Sequence, residues 1–286
     1  MVVGTRSTWC LFFCGVFWLS WSSVSAFGQS RVVEPVKADS TGTFTLRAAL
    51  FDGPGVSDSV SRFEEDLRAA GGIEVRRVSV EQIQAGALED LDVVIFSGGS
   101  GGGQGRGLGE AGRERVKKFV AGGGGYVGIC AGAYLATSDY DWSLHLLDAR
   151  VLDRRHWARG FGNVELSLSA DAAKVLGVKQ RMTVYYHQGP LLAPAGRSDI
   201  PDYQEWAKFE TEVKKEGVPG GVMQGTTAIA AGEFGEGRVL AISPHPERTT
   251  ELDHVAAAAV RWVAGERVRK KPKLGSTISE EKPPRN

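Results

Sequence analysis

The first alternation of apolar and polar positions past the N-terminal region falls at residues 44–51 and predicts a β-strand that ends at the turn-forming Asp52-Gly53-Pro54-Gly55. Val60, Phe63, Leu67 and Ala70 then recur at helical spacing, so an amphipathic helix is expected over residues 57–70. Residues 73–78 predict a second strand. Residues 91–96 predict a third, apolar enough to lie in a sheet covered on both faces. The glycine-rich stretch 97–109 is expected to be a loop, mostly flexible over Gly101 to Gly107, with a charged helix after it over residues 110–120. A fourth strand over 126–129 runs into Cys130, and the next helix begins at Ala131. Strands alternating with helices specify a doubly wound α/β domain whose sheet is mostly parallel, with ligands beyond the carboxyl ends of the strands.

The second half has a different rhythm. Residues 164–169, 181–186 and 206–213 predict strands with little helix between them, which implies an antiparallel extension. Residues 227–234 and 238–243 flank Gly235-Glu236-Gly237, a hairpin signal, and Pro244-His245-Pro246-Glu247 follows directly. A closing helix is expected over 250–264 with Val255, Ala259 and Trp262 on one face. One domain over residues 44–264 results, preceded by a polar linker over 27–43 and followed by a basic, proline-containing, disordered tail over 265–286.

Residues 1–26 have the pattern of a secretory signal peptide: Arg6, an apolar run from Trp9 to Leu19, and Val24-Ser25-Ala26 as a cleavage site. The run is shorter than the roughly 20 residues that span a bilayer. Export with cleavage near Ala26 is therefore expected, to the periplasm or the medium, leaving no membrane span in the mature chain. Cys10 and Cys14 leave with the signal, so Cys130 becomes a lone thiol with no partner for an intramolecular disulfide. The 42% hydrophobic and 24% charged residues exclude a disordered chain, and a formal net charge of zero gives no general attraction to nucleic acid.

Chemistry concentrates around that thiol. Gly128-Ile129-Cys130-Ala131-Gly132 has the form strand–Gly-x-Cys-x-Gly–helix, the nucleophile-elbow pattern with cysteine in place of serine. A tight turn from strand to helix exposes the sulfur, and the helix N-terminus favours its thiolate. His245 is suited to take and return the thiol proton, and Glu247 to orient the imidazole. Backbone N–H groups of Gly98, Gly99 and Ala131 are candidates for an oxyanion hole. No Gly-Lys-Ser/Thr ending is present, which rules out a P-loop. His145, His156 and His254 lack metal-ligand spacing, so neither a metal nor a cofactor is expected. Trp142 and Trp157 fall in an irregular segment, as aromatic packing or as a roof over the pocket.

Taken together, these residues resemble the class I glutamine-amidotransferase superfamily, and most closely the N-terminal domain family of biotin-protein ligases. The resemblance is carried by Asp52-Gly53-Pro54-Gly55-Val56-Ser57, the Gly-Gly after the third strand, Gly128–Tyr134, Val184-Tyr185-Tyr186 and Pro244-His245-Pro246-Glu247. It implies a flavodoxin-like fold and a Cys130–His245–Glu247 triad acting on an amide. No ligase catalytic domain follows, so biotin transfer is not implied. Glutamine-using members carry Gln where this chain has Tyr134, and His187-Gln188-Gly189-Pro190 stands where the ligase-associated domains have Asn and glycines. Free glutamine is therefore not the expected substrate. Asp52, Tyr134 and His187 are the candidate substrate contacts, although an Asp-Gly-Pro turn explains Asp52 equally well and His187 fits equally well as a ring packed under Tyr185 and Tyr186. The function expected is an exported thiol amidase acting on a small-molecule or peptide amide. Its competitors are a catalytically silent binding domain on the same fold and a redox-sensing cysteine.

Overall fold

The computed structural model describes residues 45–265. The signal segment, the linker and the basic tail expected from sequence lie outside that range.

Among the described residues, eleven strands form one sheet. Its parallel half comes from the first part of the chain: β1 (Leu46–Phe51), β2 (Ile73–Val78), β3 (Val93–Phe96) and β4 (Gly125–Ile129), joined by β11 (Gly237–Ile242). The order β2-β1-β3-β4-β11 then continues antiparallel through β10 (Thr227–Phe234), β9 (Gln204–Phe209), β6 (Phe161–Leu168) and β7 (Arg181–His187). Two short strands, β5 (Ala149–Leu152) and β8 (Leu191–Pro194), pair with each other and attach to β10. The expected doubly wound α/β domain with an antiparallel extension is the observed architecture.

Successive side chains of a strand point to opposite faces, and the parallel strands are apolar at both. Ala48, Leu50, Val93 and Ile95 enter one core, while Ala49, Phe51, Val94 and Phe96 enter the other. The first core is closed by α1 (Ser59–Ala69), α5 (Ala170–Leu176) and α6 (His254–Ala264). The second is closed by α2 (Val80–Gln84), α3 (Gly101–Ala121) and α4 (Ala131–Ala136). Phe96 stacks between Phe51 and Tyr126, with ring centroids 4.8 and 5.6 Å away, and holds β1, β3 and β4 in register beneath α4.

Two expectations are corrected and two unexpected strands appear. The glycine-rich stretch is not a flexible loop: α3 starts at Gly101, capped by Ser100, whose hydroxyl accepts from the Gly103 N–H at 3.1 Å. Glycine is poor for helix propensity but permits contact here, because a side chain at Gly105 would collide with the Trp142 carbonyl and one at Gly107 with Pro54. The expected boundary at residue 110 survives as a kink at Gly109, whose φ of 64° only glycine adopts easily. The second half also holds a helix, α5, capped by Ser169 between β6 and β7. Finally, β5 and β8 are too short to show alternation. In α6, Val255 and Ala259 are buried as expected, and Trp262 is partly covered, edge-on to Trp206 at 4.5 Å.

Candidate active site

Cys130 sits where β4 gives way to α4, with φ 51° and ψ −97°. Such a backbone costs a non-glycine residue about 1–3 kcal/mol and persists only where its surroundings enforce it. Here Cys130 N–H donates to the Ile242 carbonyl at 2.8 Å, while Tyr134 N–H reaches the Cys130 carbonyl at 3.1 Å. The flanking glycines are required by contact. A side chain on Gly128 would strike the Gly132 carbonyl, and one on Gly132 would strike the Phe96 carbonyl.

His245 follows β11, the strand beside β4, so sheet pairing alone brings it across from Cys130. Its N–H donates to the Tyr185 carbonyl at 2.7 Å, and its carbonyl accepts from the Thr249 hydroxyl at 3.0 Å. Pro246 opens a short 3-10 turn that returns Glu247 beneath the imidazole. The Nδ1–Oε1 distance is 2.6 Å, and both side chains are almost fully buried. Burial opposes charge on this imidazole, but the Cys130 sulfur, followed by Glu247, outweighs it and pushes the His245 pKa up to about 10. The sulfur therefore faces a ring that stays cationic through neutral pH. The thiol also donates to the His187 carbonyl at 3.4 Å.

The three oxyanion candidates separate. Ser57 donates to the Gly98 carbonyl through both its N–H and its hydroxyl, each at 3.1 Å. A trans peptide holds C=O and N–H on opposite sides, so the Gly99 N–H is turned away from Ser57. Gly99 lines the cavity in front of Cys130. Gly98 serves the imidazole instead, since a Cβ there would lie 2.9 Å from His245 Cε1. Ala131 opens α4, and its N–H is one of that helix's orphan donors. Gly98→Ala is accordingly expected to displace the imidazole and lower the rate of Cys130 alkylation several-fold. A thermal melt should meanwhile stay within about 4 °C of wild type, as for a perturbation near 1 kcal/mol in a domain this size. An unchanged rate of alkylation would separate Gly98 from His245.

The cavity has a volume of about 880 Å³. Tyr134 lines it, and its hydroxyl donates to the Gln188 carbonyl at 3.1 Å; burial pushes the phenol pKa well up, so it stays a neutral donor. His187 also lines it while its ring sits edge-on to Tyr185 at 6.1 Å, and its Nδ1 accepts from Arg248 at 3.2 Å. Burial, Arg248 and His245 hold the His187 imidazole below its usual range, so it is neutral where His245 is charged. Asp52 is not brought to the site: it is exposed and pairs with Arg77 on β2 at 3.2 Å. Trp142 and Trp157 both line the cavity. Sequence reasoning missed Gln188, whose φ of 59° is a second strained backbone here, and the arginines at 106, 154, 155 and 248. No local pattern marks those arginines, because they converge from three separate segments. No group of three or more His, Cys, Asp or Glu side chains that could hold a metal occurs among the described residues.

Comparison with known proteins agrees with this architecture. Residues 47–159 match the family described as biotin-protein ligase, N terminal. The structure described as PurLQS from Thermotoga maritima superposes with a TM-score of 0.56 at 18% identity, covering 77% of this chain and 97% of that one. A putative ThuA-like protein from Bacteroides uniformis (TM-score 0.51, 14% identity, 80% and 95% coverage) is similar in fold. So is the cytoplasmic protein STM3548 from Salmonella typhimurium (0.51, 14%, 76% and 99%). No curated protein matches the chain. The protein thus has the class I glutamine-amidotransferase-like fold, and within it residues 47–159 match the biotin-protein ligase N-terminal family.

Proposed function

We propose that the protein is a cysteine-dependent amide hydrolase in which Cys130 is the nucleophile, His245 the acid and base, and Glu247 the group that orients it. One observation carries this reading: a buried imidazole, held by Glu247 at 2.6 Å and pushed up to about 10, faces a thiol on a strained strand-to-helix turn open to a cavity. The Cys130 sulfur attacks the amide carbonyl carbon, and the Gly99 and Ala131 N–H groups receive the developing oxyanion. The imidazolium gives its proton to the leaving amine as the C–N bond breaks, which leaves a thioester on Cys130. Water, deprotonated by His245, then releases the acid and regenerates the thiol. This chemistry needs no metal or cofactor.

The signal pattern at residues 1–26 supports the further proposal that the enzyme works outside the cytoplasm on a small-molecule or peptide amide. Mass analysis of material from the medium or periplasm is expected to give a chain starting near Phe27. Free glutamine is expected to be a poor substrate, because Tyr134 occupies the family's glutamine position and its hydroxyl is engaged with Gln188. The test is steady-state hydrolysis of a panel of amino-acid and peptide amides by the purified protein. Turnover of at least one amide that Cys130→Ala abolishes, with kcat/KM on glutamine below about 10⁴ M⁻¹s⁻¹, is expected. Efficient glutamine turnover overturns the substrate assignment. Amide turnover that survives Cys130→Ala overturns the mechanism.

A further inference from the structure

Charge around the cavity is one-sided. The chain as a whole is balanced, with 34 basic and 34 acidic residues. Yet Arg106, Arg154, Arg155 and Arg248 all line the cavity, and no Asp or Glu does. Among the described residues none of these four guanidinium groups has a carboxylate within salt-bridge distance; away from the cavity Arg47, Arg62, Arg68, Arg77 and Arg197 do, while Arg76, Arg113, Arg150, Arg181, Arg238 and Arg261 do not. Two are held by aromatic faces instead: Arg154 lies 4.2 Å from the Tyr140 ring centroid and Arg248 4.4 Å from that of Tyr185. Stacking fixes the plane of a guanidinium; Arg248 also donates to His187 Nδ1 at 3.2 Å and Arg154 bonds the Tyr140 side chain, which leaves their other edge donors for a ligand.

The segment that presents Arg154 and Arg155 is anchored from below. Asp153, with φ 50°, binds His156 Nδ1 at 2.6 Å and Arg159 Nη2 at 2.8 Å. Arg159 is 1% exposed, and its Nη1 is buried without a hydrogen-bond partner. Its charge is felt at the hydroxyls of Tyr134, which lines the cavity, and of Tyr186 on β7. Arg106, Arg154, Arg155 and Arg248 are exposed at the cavity, so water meets them there, and they set a one-signed field that an anionic ligand would answer.

We propose that the substrate is anionic: a small amide flanked by two or more carboxylates, such as an acidic peptide or amino-acid conjugate, gripped by Arg106, Arg154, Arg155 and Arg248 while its amide meets Cys130. This specifies the substrate class of the amidase reading and rests on it for the amide, but not for the anion. Planar, bidentate guanidinium edges match carboxylates. A neutral amide would leave the arginines unanswered.

The anion preference is read first on the thiol itself, by alkylating the full-length protein with iodoacetate and with neutral iodoacetamide. The iodoacetate-to-iodoacetamide rate ratio at low salt is expected to exceed that of free cysteine about tenfold or more, as a cleft lined by one sign of charge concentrates its counter-ion. It should fall toward the free-cysteine value in 0.5 M salt and in the triple variant Arg106→Gln/Arg154→Gln/Arg155→Gln. A ratio equal to that of free cysteine and indifferent to salt overturns the proposal. A thiol inert to both reagents overturns the hydrolase reading alone, and the proposal is then decided by thermal shift with citrate. Stabilisation by millimolar citrate that the triple variant loses supports it, and no shift overturns it. Stabilisation by pyrophosphate but not by citrate overturns the carboxylate assignment in favour of a phosphorylated ligand.

Discussion

Replacing His245 by Ala is expected to slow alkylation of Cys130 by iodoacetamide at pH 6.5 by about tenfold or more. The wild-type imidazole is pushed up to about 10, so it remains a cation across pH 6 to 8 and the sulfur works beside a fixed positive charge. The wild-type rate should accordingly vary little over that range, and change only as pH rises toward 10 and the ring loses its proton. Without the ring, labelling should climb with pH like that of a free cysteine, which titrates near about 8.5 and is about 1% thiolate at pH 6.5. The effect is set at about tenfold because a sulfur stabilised by a neighbouring cation is also intrinsically a weaker nucleophile. Glu247→Gln should have a smaller effect, since it disturbs the 2.6 Å contact at Nδ1 but leaves the imidazole in place. Two pH–rate profiles decide the matter. Identical curves for wild type and His245→Ala would mean that the sulfur and the imidazole do not act as a pair, and a binding role for the fold would be the better reading.

The largest stability effect is expected at Gly132. In a helix interior Gly→Ala ordinarily gains up to about 1 kcal/mol. At Gly132 the sign should reverse, because the added methyl would meet the Phe96 carbonyl, and backbone on both sides leaves nothing free to rotate away. Overpacking of this kind costs about 1–3 kcal/mol, and with backbone against backbone the upper end is expected, so the melting temperature should drop by roughly 6–12 °C. Gly102→Ala, also in a helix, is the contrasting case. Its Cβ would touch only the movable end of Arg106, so its melting temperature should stay within about 3 °C of wild type. Equal melting temperatures for the two variants would show that α4 does not press on β3 as closely as Gly132 implies.

Much of this was legible in the chain itself. The parallel strands announce themselves because each buries both faces, as the unbroken apolar run in β3 does. Gly-x-Cys-x-Gly gave the turn because only small residues permit α4 to approach β3, a local requirement with a local signature. The sequence also placed His245 and Glu247, since both follow directly from the end of one strand. Their meeting with Cys130 needed only the pairing of β11 with β4.

Other features were decided only by the tertiary structure. That residues 101–108 are helical depends on Trp142 and Pro54 packing against their glycines, a reward invisible to helix propensity. Short β5 and β8 exist through pairing with each other rather than through any pattern of their own. Asp52, next to the first glycine turn, faces Arg77 instead of the cavity because the strand's last residue points its side chain into the core and the next one out. The arginines that give the cavity its charge come from α3, from the turn after β5 and from the turn after β11. Sequence determines motifs whose partners are neighbours along the chain. The field inside a cavity is a sum over residues that only the closed sheet brings together.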